Sequence, residues 1–212
     1  MTENRRPLSS RDTRIMQRIA AWLARTGITP NQISCIAMIF AAIGGLLLAF
    51  GSHSAVALVL CALFVQLRLL CNLFDGMVAV EGGKKTPTGE LYNELPDRVS
   101  DSLFIIALGY AVSLGWLGWL AALLAALTAY IRVFGGSVGL PQSFRGPMAK
   151  QHRMAVLTAS CLLGAAEMYY SQSRYVLTIG LIAIAAGSAA TCALRIRDIA
   201  DAKKQLAAKE QP

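Results

Sequence analysis

The stretch RLLCNLFDGMVAVEGGKKTPTGELYNELPDRVSD, residues 68–101, decides how the rest of this sequence is interpreted. It holds six of the twelve acidic residues of a chain that is 55% hydrophobic. The six are Asp75, Glu81, Glu90, Glu94, Asp97 and Asp101. Carboxylates near hydrocarbon are costly unless they are paired or bind a metal. The cluster therefore indicates a functional site, and the apolar runs on either side have to be interpreted first.

The apolar runs indicate an integral membrane protein. The 212 residues are only 15% charged, and the mean hydropathy is +0.51, which is too apolar for an ordinary soluble domain. We predict an all-α protein with six transmembrane helices within a membrane domain at 31–197. The helices are predicted at about 31–50, 55–80, 93–113, 116–138, 152–170 and 175–196. A basic tail is predicted at 198–212.

The segment before the first span, residues 1–30, is predicted to carry an amphipathic helix from about Ser10 to Arg25. Its apolar residues share one face and its arginines occupy the rest, which is typical of a helix lying in the membrane interface. A soluble partner-binding helix is the alternative. Thr29-Pro30-Asn31-Gln32 then predicts a capping box at the start of the first span.

Basic residues predict the orientation. Six arginines precede the first span, and the connections at 81–92 and 139–151 carry Lys84, Lys85, Arg145 and Lys150. Arg174 is the only Lys or Arg in the turns on the opposite side. The positive-inside bias therefore places both termini and both long connections in the cytoplasm, with the protein in the cytoplasmic (inner) membrane. We expect a lipid environment and no nucleic-acid partner.

Two helical faces meet at this cytoplasmic side. Arg68, Asn72, Asp75 and Ala79 share one face of the second span, and Glu90, Asn93, Asp97 and Asp101 share one face of the third. Carboxylate and amide oxygens suit Mg²⁺ or Mn²⁺. Arg68 and Asp101 each lie one turn deeper than the other polar residues, so we predict a buried ion pair between them. A catalytic-base role is the alternative for Asp101.

These residues resemble the CDP-alcohol phosphotransferase family, whose pattern is D-x2-D-G-x2-A-R-x8-G-x3-D-x3-D. Asp75, Gly76, Ala79, Gly89 and Asp97 match it without a gap. T-P-N at 29–31 and the segment GPMAKQHR at 146–153 are also similar to the family.

The chain departs from this pattern at three positions. Asn72 and Asn93 stand where aspartates are expected, and Val80 stands where an arginine is expected. A four-residue shift would instead place Asp97 and Asp101 on the last two aspartates, but it would lose Gly89. With the ungapped register, two amides replace two carboxylates in the binuclear Mg²⁺ centre that the family implies, and Glu94 or Asp101 is an additional candidate ligand.

The resemblance implies that a hydroxyl attacks the β-phosphate of a CDP-alcohol and that CMP leaves. It implies metal coordination by Asn72, Asp75, Asn93 and Asp97, and a nucleotide pocket at Asp75, Gly76, Ala79 and Gly89. We assign Asp97 or Asp101 as the base, Lys150 and Arg153 to the diphosphate, and Arg132 and Arg195 to a phosphate on the acceptor. Membrane anchoring is the alternative role for the four basic residues.

The expected donor is CDP-diacylglycerol, with a small polyol as acceptor: glycerol-3-phosphate first, an inositol phosphate next. The resemblance also implies a homodimer. Other hypotheses are a CDP-choline or CDP-ethanolamine enzyme with a lipid acceptor, an intramembrane prenyltransferase, and an inactive membrane scaffold. Release of CMP, of pyrophosphate or of neither distinguishes the enzyme, the prenyltransferase and the scaffold.

Overall fold

Seven α-helices make up most of the chain that this computed structural model describes, which is residues 13–84, 87–171 and 173–210. The side chains of Glu81, Glu90, Lys209 and Glu210 are not described. The helices are α1 (Arg14–Arg25), α2 (Pro30–Gly51), α3 (Ala55–Glu81), α4 (Gly89–Ala111), α5 (Gly115–Ser137), α6 (Lys150–Tyr170) and α7 (Tyr175–Glu210). No β-strand occurs within those ranges, and the predicted all-α class is confirmed.

Helix starts follow local chemistry more closely than hydropathy. The capping box predicted before α2 is present: the Thr29 hydroxyl accepts from the Gln32 amide at 3.3 Å, and the Gln32 side chain accepts from the Thr29 amide at 2.9 Å. The polar first turns of α4 and α6 start before the predicted spans at 93 and 152. Helix α7 continues past 196 through most of the segment predicted as a tail.

Four helices among the described residues are both long and apolar enough to cross a membrane, so hydropathy does not confirm six spans. They lie at Pro30–Gly51, Ala55–Val80, Gly115–Ser137 and Tyr175–Ala208, with mean hydropathies of 2.5, 2.2, 1.8 and 2.0. Helices α4 and α6 are not among them, because charged residues such as Asp97 and Asp101 on α4 and Arg153 on α6 interrupt their apolar sequence. The length and hydropathy of these helices identify an integral membrane protein.

Helix α1 has two apolar sides. One side buries Ala20 against Leu73 and Met77 of α3. The other leaves Ile15, Ile19 and Trp22 exposed. Placement of this helix in the membrane interface stays a prediction, and its first predicted residues, Ser10 and Arg11 among them, lie outside the described ranges. Lys84 joins the α3–α4 connection to the end of α1 by donating to the Ala24 and Ile28 carbonyls at 2.8 and 3.2 Å; its neighbour Lys85 is not described.

Packing of the long helices brings the polar ends together. Helix α2 packs on α3 and α4, α5 packs on α4 and α7, and α6 packs on α3 and α7. Large apolar side chains fill the middle of this bundle with almost no exposed surface; they include Leu58, Phe104, Leu108, Met154 and Leu181. The end of α3 and the starts of α2, α4 and α6 therefore lie at one end of the bundle, where the predicted polar residues are found.

Candidate active site

Three buried aspartates form the centre of this polar end. Asp75 lies on the last turns of α3, and Asp97 and Asp101 lie on successive turns of α4. Their exposed fractions are only 2%, 7% and 2%. Buried carboxylates are stabilised by hydrogen bonds and counter-charges, and the three aspartates differ in which of these they have.

Asp97 is the point where three helices meet. Its Oδ1 accepts hydrogen bonds from Arg68 Nη2 at 3.2 Å and from the Asn72 amide, both on α3. Its Oδ2 accepts from the Lys150 ammonium, on the first residue of α6. The structure thus brings together Asn72, Asp97 and Lys150, three of the residues that were assigned to the site from the sequence.

Asp101 is held by two buried arginines. Arg68 Nη2 donates to its Oδ1 at 2.8 Å, and Arg153 Nη2 donates to its Oδ2 at 3.1 Å. The predicted Arg68–Asp101 pair is therefore confirmed. The second partner was not predicted, because Arg153 was assigned to the diphosphate. Arg153 also donates to the Met148 carbonyl at 2.8 Å, so it has both a carboxylate and a carbonyl partner.

Asp75 has only neutral partners among the described residues. Ser34 Oγ, on the first turns of α2, donates to its Oδ2 at 2.7 Å. The Asn93 amide, on the first turn of α4, donates to its Oδ1 at 3.2 Å. Sequence reasoning missed Ser34. Its signal was a hydroxyl residue one helical turn after Pro30, at the polar end of the first span.

A cavity of about 450 Å³ opens beside Asp97, between α3, α4, α5, α6 and α7. Among the residues predicted for the site, Asn72, Asn93, Asp97, Lys150, Arg153, Arg132 and Arg195 line it. Arg98 and Glu94 line it as well. Five basic and two acidic side chains therefore surround this cavity, which gives it the charge to accept a phosphorylated molecule.

The two arginines assigned to the acceptor lie at this cavity with partners of their own. Arg132 Nη2 donates to Glu94 at 3.0 Å, and its guanidinium lies 5.4 Å from the centre of the Phe144 ring. Arg195 donates to the Thr128 and Arg145 carbonyls at 2.5 and 2.9 Å. These contacts hold both side chains in place before any ligand binds.

Arg98 is a site residue that was not recognised from the sequence. It lies one turn beyond Glu94 on α4, pairs with that carboxylate at 3.2 Å, and approaches Asp97 Oδ2 at 3.9 Å. Its signal was the i, i+4 spacing from Glu94 inside the acidic stretch.

The residues assigned to the nucleotide lie elsewhere. Asp75, Gly76, Ala79 and Gly89 do not line the cavity beside Asp97, and neither does Asp101. A second, more open cavity of about 610 Å³ lies between the start of α2 and the start of α4. Asn31, Gln32 and Tyr92 line it. Asp75 contacts Ser34 of α2 and Asn93 of α4, so it joins the two helices that border this second cavity.

The side chains around Asp75 and Asp97 carry oxygens of the type that binds a divalent cation. Carboxylate and amide oxygens are hard ligands of the kind that Mg²⁺ and Mn²⁺ take, and Asp75 with Asn93 supplies both types in contact. No group of three His, Cys, Asp or Glu side chains is arranged for a metal within the described residues. Asn72 and Asn93 supply amides at two positions where the family pattern has carboxylates.

Comparisons with known proteins find relatives of this chain in sequence. Inner membrane protein YnbA of Escherichia coli is 29% identical over 152 residues, covering 71% of this chain and 74% of the relative. The archaetidylinositol phosphate synthase of Aeropyrum pernix is 30% identical over 149 residues, covering 70% and 74%.

Solved structures show the same fold. The phosphatidylinositol phosphate synthase of Mycobacterium tuberculosis with CDP-DAG bound has a TM-score of 0.75 at 22% identity, covering 88% of this chain and 94% of that one. Its complex with manganese and citrate has a TM-score of 0.74 at 22% identity, covering 87% and 88%. The family model for CDP-alcohol phosphatidyltransferases matches residues 27–191, which include the three buried aspartates, Lys150 and Arg153. The chain therefore belongs to the CDP-alcohol phosphatidyltransferase family and is an enzyme of phospholipid synthesis.

Proposed function

We propose that this enzyme transfers a phosphatidyl group from CDP-diacylglycerol to a hydroxyl of a small phosphorylated polyol and releases CMP. One observation carries the proposal beyond the family assignment: a buried carboxylate, Asp97, lies at the wall of a cavity that also presents five basic side chains. A base next to a phosphate-binding surface is what attack by a hydroxyl on a diphosphate requires.

In the proposed reaction, Asp97 accepts the proton of the acceptor hydroxyl. The hydroxyl oxygen forms a bond to the β-phosphorus, and the bond from that phosphorus to the oxygen shared with CMP breaks. Asp101 is less well suited to act as the base, because it does not line the cavity, whereas Asp97 does. Lys150 lies against Asp97 and at the cavity wall, so its ammonium is placed to take up diphosphate charge.

We place the nucleotide at Gly76, Ala79 and Gly89, near Asp75. Gly76 and Ala79 are partly exposed, so α3 presents backbone and a small side chain there. The diphosphate then extends toward Lys150 and Arg153, and the lipid chains remain in the bilayer.

The proposed acceptor carries a phosphate that binds Arg132 and Arg195. The names of the relatives favour an inositol phosphate over glycerol-3-phosphate, which ranked first from the sequence alone. Glu94 contacts Arg132 and Arg98, and it is placed to bind acceptor hydroxyls beside that phosphate.

The reaction is proposed to depend on Mg²⁺ or Mn²⁺. When bound, the cation neutralises diphosphate charge. The residues assigned to hold it are Asn72, Asp75, Asn93 and Asp97. Their contacts are unequal: Asp75 has neutral partners, whereas Asp97 already has cationic ones.

The remaining parts of the proposal concern the whole chain. We propose six spans at 31–197, both termini and the active site in the cytoplasm, and a homodimer. The supporting observation for the sidedness is the distribution of Lys and Arg, together with the location of all three aspartates at the basic end of the bundle.

The test is a screen with purified full-length protein in lipid nanodiscs. CDP-diacylglycerol and Mg²⁺ or Mn²⁺ are supplied with inositol phosphate, glycerol-3-phosphate or the free polyols, and CMP and the lipid product are quantified by mass spectrometry. We expect CMP only when an acceptor is present. Asp75→Asn and Asp97→Asn should each slow CMP release by about 100-fold or more, whereas Asp198→Asn, which alters a carboxylate paired with Arg145 outside the cavity, should not. Pyrophosphate release from a prenyl donor, or turnover that survives both active-site substitutions, would contradict the proposal.

A further inference from the structure

The asparagines at positions 72 and 93 change the charge of the site. In the ungapped register, two amides stand where the family pattern has carboxylates, so Asp75 and Asp97 are the remaining acids of that pattern. Two divalent cations need more negative charge than this before substrate binds. The contacts of Asp75 and Asp97 show how the charge of the site is balanced.

At the Asp75 end, no side-chain cation contacts the carboxylate among the described residues. The partners are the Ser34 hydroxyl and the Asn93 amide, and Asp75 is only 2% exposed. An ionised carboxylate at this depth is costly without a counter-charge. This end therefore has a carboxylate without a cationic side-chain partner, beside an amide, and both groups carry oxygens of the type that a divalent cation takes.

At the Asp97 end, the protein supplies the cations itself. Arg68 contacts both Asp97 and Asp101, Lys150 contacts Asp97, and Arg153 contacts Asp101. These three positive side chains face two negative ones, and Arg98 adds a fourth positive charge 3.9 Å from Asp97 Oδ2. All four oxygens of the two carboxylates accept protein hydrogen bonds. A divalent cation placed here would meet net positive charge.

Lys150 is fixed in this position by its backbone. It begins α6, and the preceding loop is joined to α7 where the Met148 amide donates to Thr191 Oγ1 at 3.0 Å. Arg153, one turn further along α6, is anchored by the Met148 carbonyl and Asp101. The ammonium is thus carried by a rigid element and not by a mobile loop.

We propose that Lys150 and Arg68 supply at Asp97 the positive charge that a second metal ion would supply, so that this chain binds one divalent cation, at Asp75. Asn93, whose side-chain amide contacts Asp75, would supply a further oxygen ligand. This inference rests on the proposed function, since it concerns the metal of that same reaction, but metal binding is measured without turnover.

The experiment is equilibrium dialysis of the full chain in nanodiscs against Mn²⁺, with bound metal quantified by mass spectrometry and by electron paramagnetic resonance. We expect one Mn²⁺ per chain in the wild type, none in Asp75→Asn, and one in Asp97→Asn. The double variant Asn72→Asp/Lys150→Met removes the resident cation and restores a carboxylate, so it should bind two, with a spectrum broadened by coupling between neighbouring ions. Lys204→Met, an exposed lysine on α7, is the matched control and should bind one.

Two Mn²⁺ ions in the wild type, none in the wild type, or loss of the ion in Asp97→Asn but not in Asp75→Asn would each overturn the inference. Size-exclusion profiles and thermal unfolding identify any variant that fails to fold, and in that case the gain of a second ion in the double variant decides the question. CMP release in the substrate screen is independent of these results. If the protein releases CMP and binds two ions, the proposed function holds and this inference is wrong. If it binds one ion and releases no CMP, this inference holds and the proposed function is wrong.

Discussion

Arg68 holds two carboxylates with one nitrogen. Its Nη2 contacts Asp97 Oδ1 and Asp101 Oδ1, whereas its Nε and Nη1 have no hydrogen-bond partner among the described residues. The side chain is fully buried. If Arg68 is removed, Asp97 still has Lys150 and Asp101 still has Arg153 as ion-pair partners. Each buried carboxylate therefore loses only part of its counter-charge.

We predict that Arg68→Met lowers the free energy of unfolding by about 3 kcal/mol, the lower end of the range for breaking a buried ion pair. Asp101→Asn should also destabilise the protein, and the double variant should be less destabilised than the sum, with a coupling of about 1–3 kcal/mol. Thermal or denaturant unfolding in detergent measures all three. Arg68→Lys is the control and should retain much of the stability, because one donor group makes all the contacts. Strict additivity would contradict the pairing.

We predict that Asp97→Asn lowers kcat for CMP release by about 10²–10⁴-fold, the usual contribution of a general base. The amide keeps the size of the side chain, and its one oxygen can still accept from either Arg68 or Lys150, so the fold should persist, and the unfolding midpoint serves as the control. Asp101→Asn is the comparison variant. If the larger loss of rate at equal stability falls on Asp101→Asn, then Asp101 is the base and the assignment to Asp97 is wrong.

The residues of the site were only partly predictable from the sequence. Arg68 and Asp101 were paired correctly, because helical periodicity fixes which residues of two antiparallel helices lie at equal depth. Ser34 and Arg153 were not recognised as partners of aspartates, because their contacts cross between helices far apart in sequence. The periodicity of residues within one helix does not show which residues of another helix they contact. Such contacts follow from the packing order of α2, α3, α4 and α6.

At the scale of elements, the connection between α5 and α6 positions the cationic side of the site. Gly146 has a φ of +127°, and a Cβ placed on it would lie 2.5 Å from Thr191 Cγ2 on α7. The backbone at this point therefore lies directly on α7, four residues before Lys150. Gly139, in the same connection, has a φ of +81°, but a Cβ added there would have nothing within 4 Å among the described residues. Both glycines have a backbone conformation that is strained for other residues, but only Gly146 is also closely packed. Substitutions at the two positions therefore distinguish the effect of backbone strain from that of close packing.

We predict that Gly146→Ala destabilises the protein by about 3 kcal/mol, since it adds steric overlap to an unfavourable backbone conformation. It should also slow CMP release, because displacement of the loop moves Lys150 away from Asp97. Gly139→Ala should cost about 1 kcal/mol and leave the rate unchanged. Unfolding midpoints and initial rates measure both effects. Equal behaviour of the two variants would show that contact with Thr191 does not position Lys150.

The boundaries of the elements show what hydropathy misses. Helices α4 and α6 begin with polar turns, Gly89–Asn93 and Lys150–Arg153. The spans predicted from apolar runs start within these turns and do not include their first residues. These turns carry site residues because a site for a polar substrate must lie where an otherwise apolar helix reaches water. Capping chemistry did mark the start of α2. The capping box of α2 lies within four consecutive residues and can be recognised from the sequence. The starts of α4 and α6 depend instead on contacts with the rest of the bundle.

At the scale of the whole molecule, α4 and α6 bury charged residues inside the bundle and expose apolar residues on its outside. Asp97, Asp101 and Arg153 are buried, while Leu103 and Leu163 are exposed. At 1.5 Å per residue the two helices are about 35 and 32 Å long, enough for a hydrocarbon core of about 30 Å. An average over the sequence does not distinguish inward from outward residues, which is why these helices resemble polar ones in hydropathy. The arrangement supports six spans.

Six spans and four spans place the connections on opposite sides of the membrane, and this gives a direct test. With six spans, the turn after α4 (112–114) faces away from the cytoplasm and the connection between α5 and α6 (138–149) faces it. If only the four apolar helices cross, both locations are reversed, while the C-terminus remains cytoplasmic in either case. We predict that alkaline phosphatase fused after Val112 is active and that green fluorescent protein fused after Gln142 is fluorescent, with the C-terminal fusion as the control. The reverse pattern would place the connection that carries Lys150 on the wrong side for a cytoplasmic CDP-alcohol, and the proposed site would then have to be abandoned together with the topology.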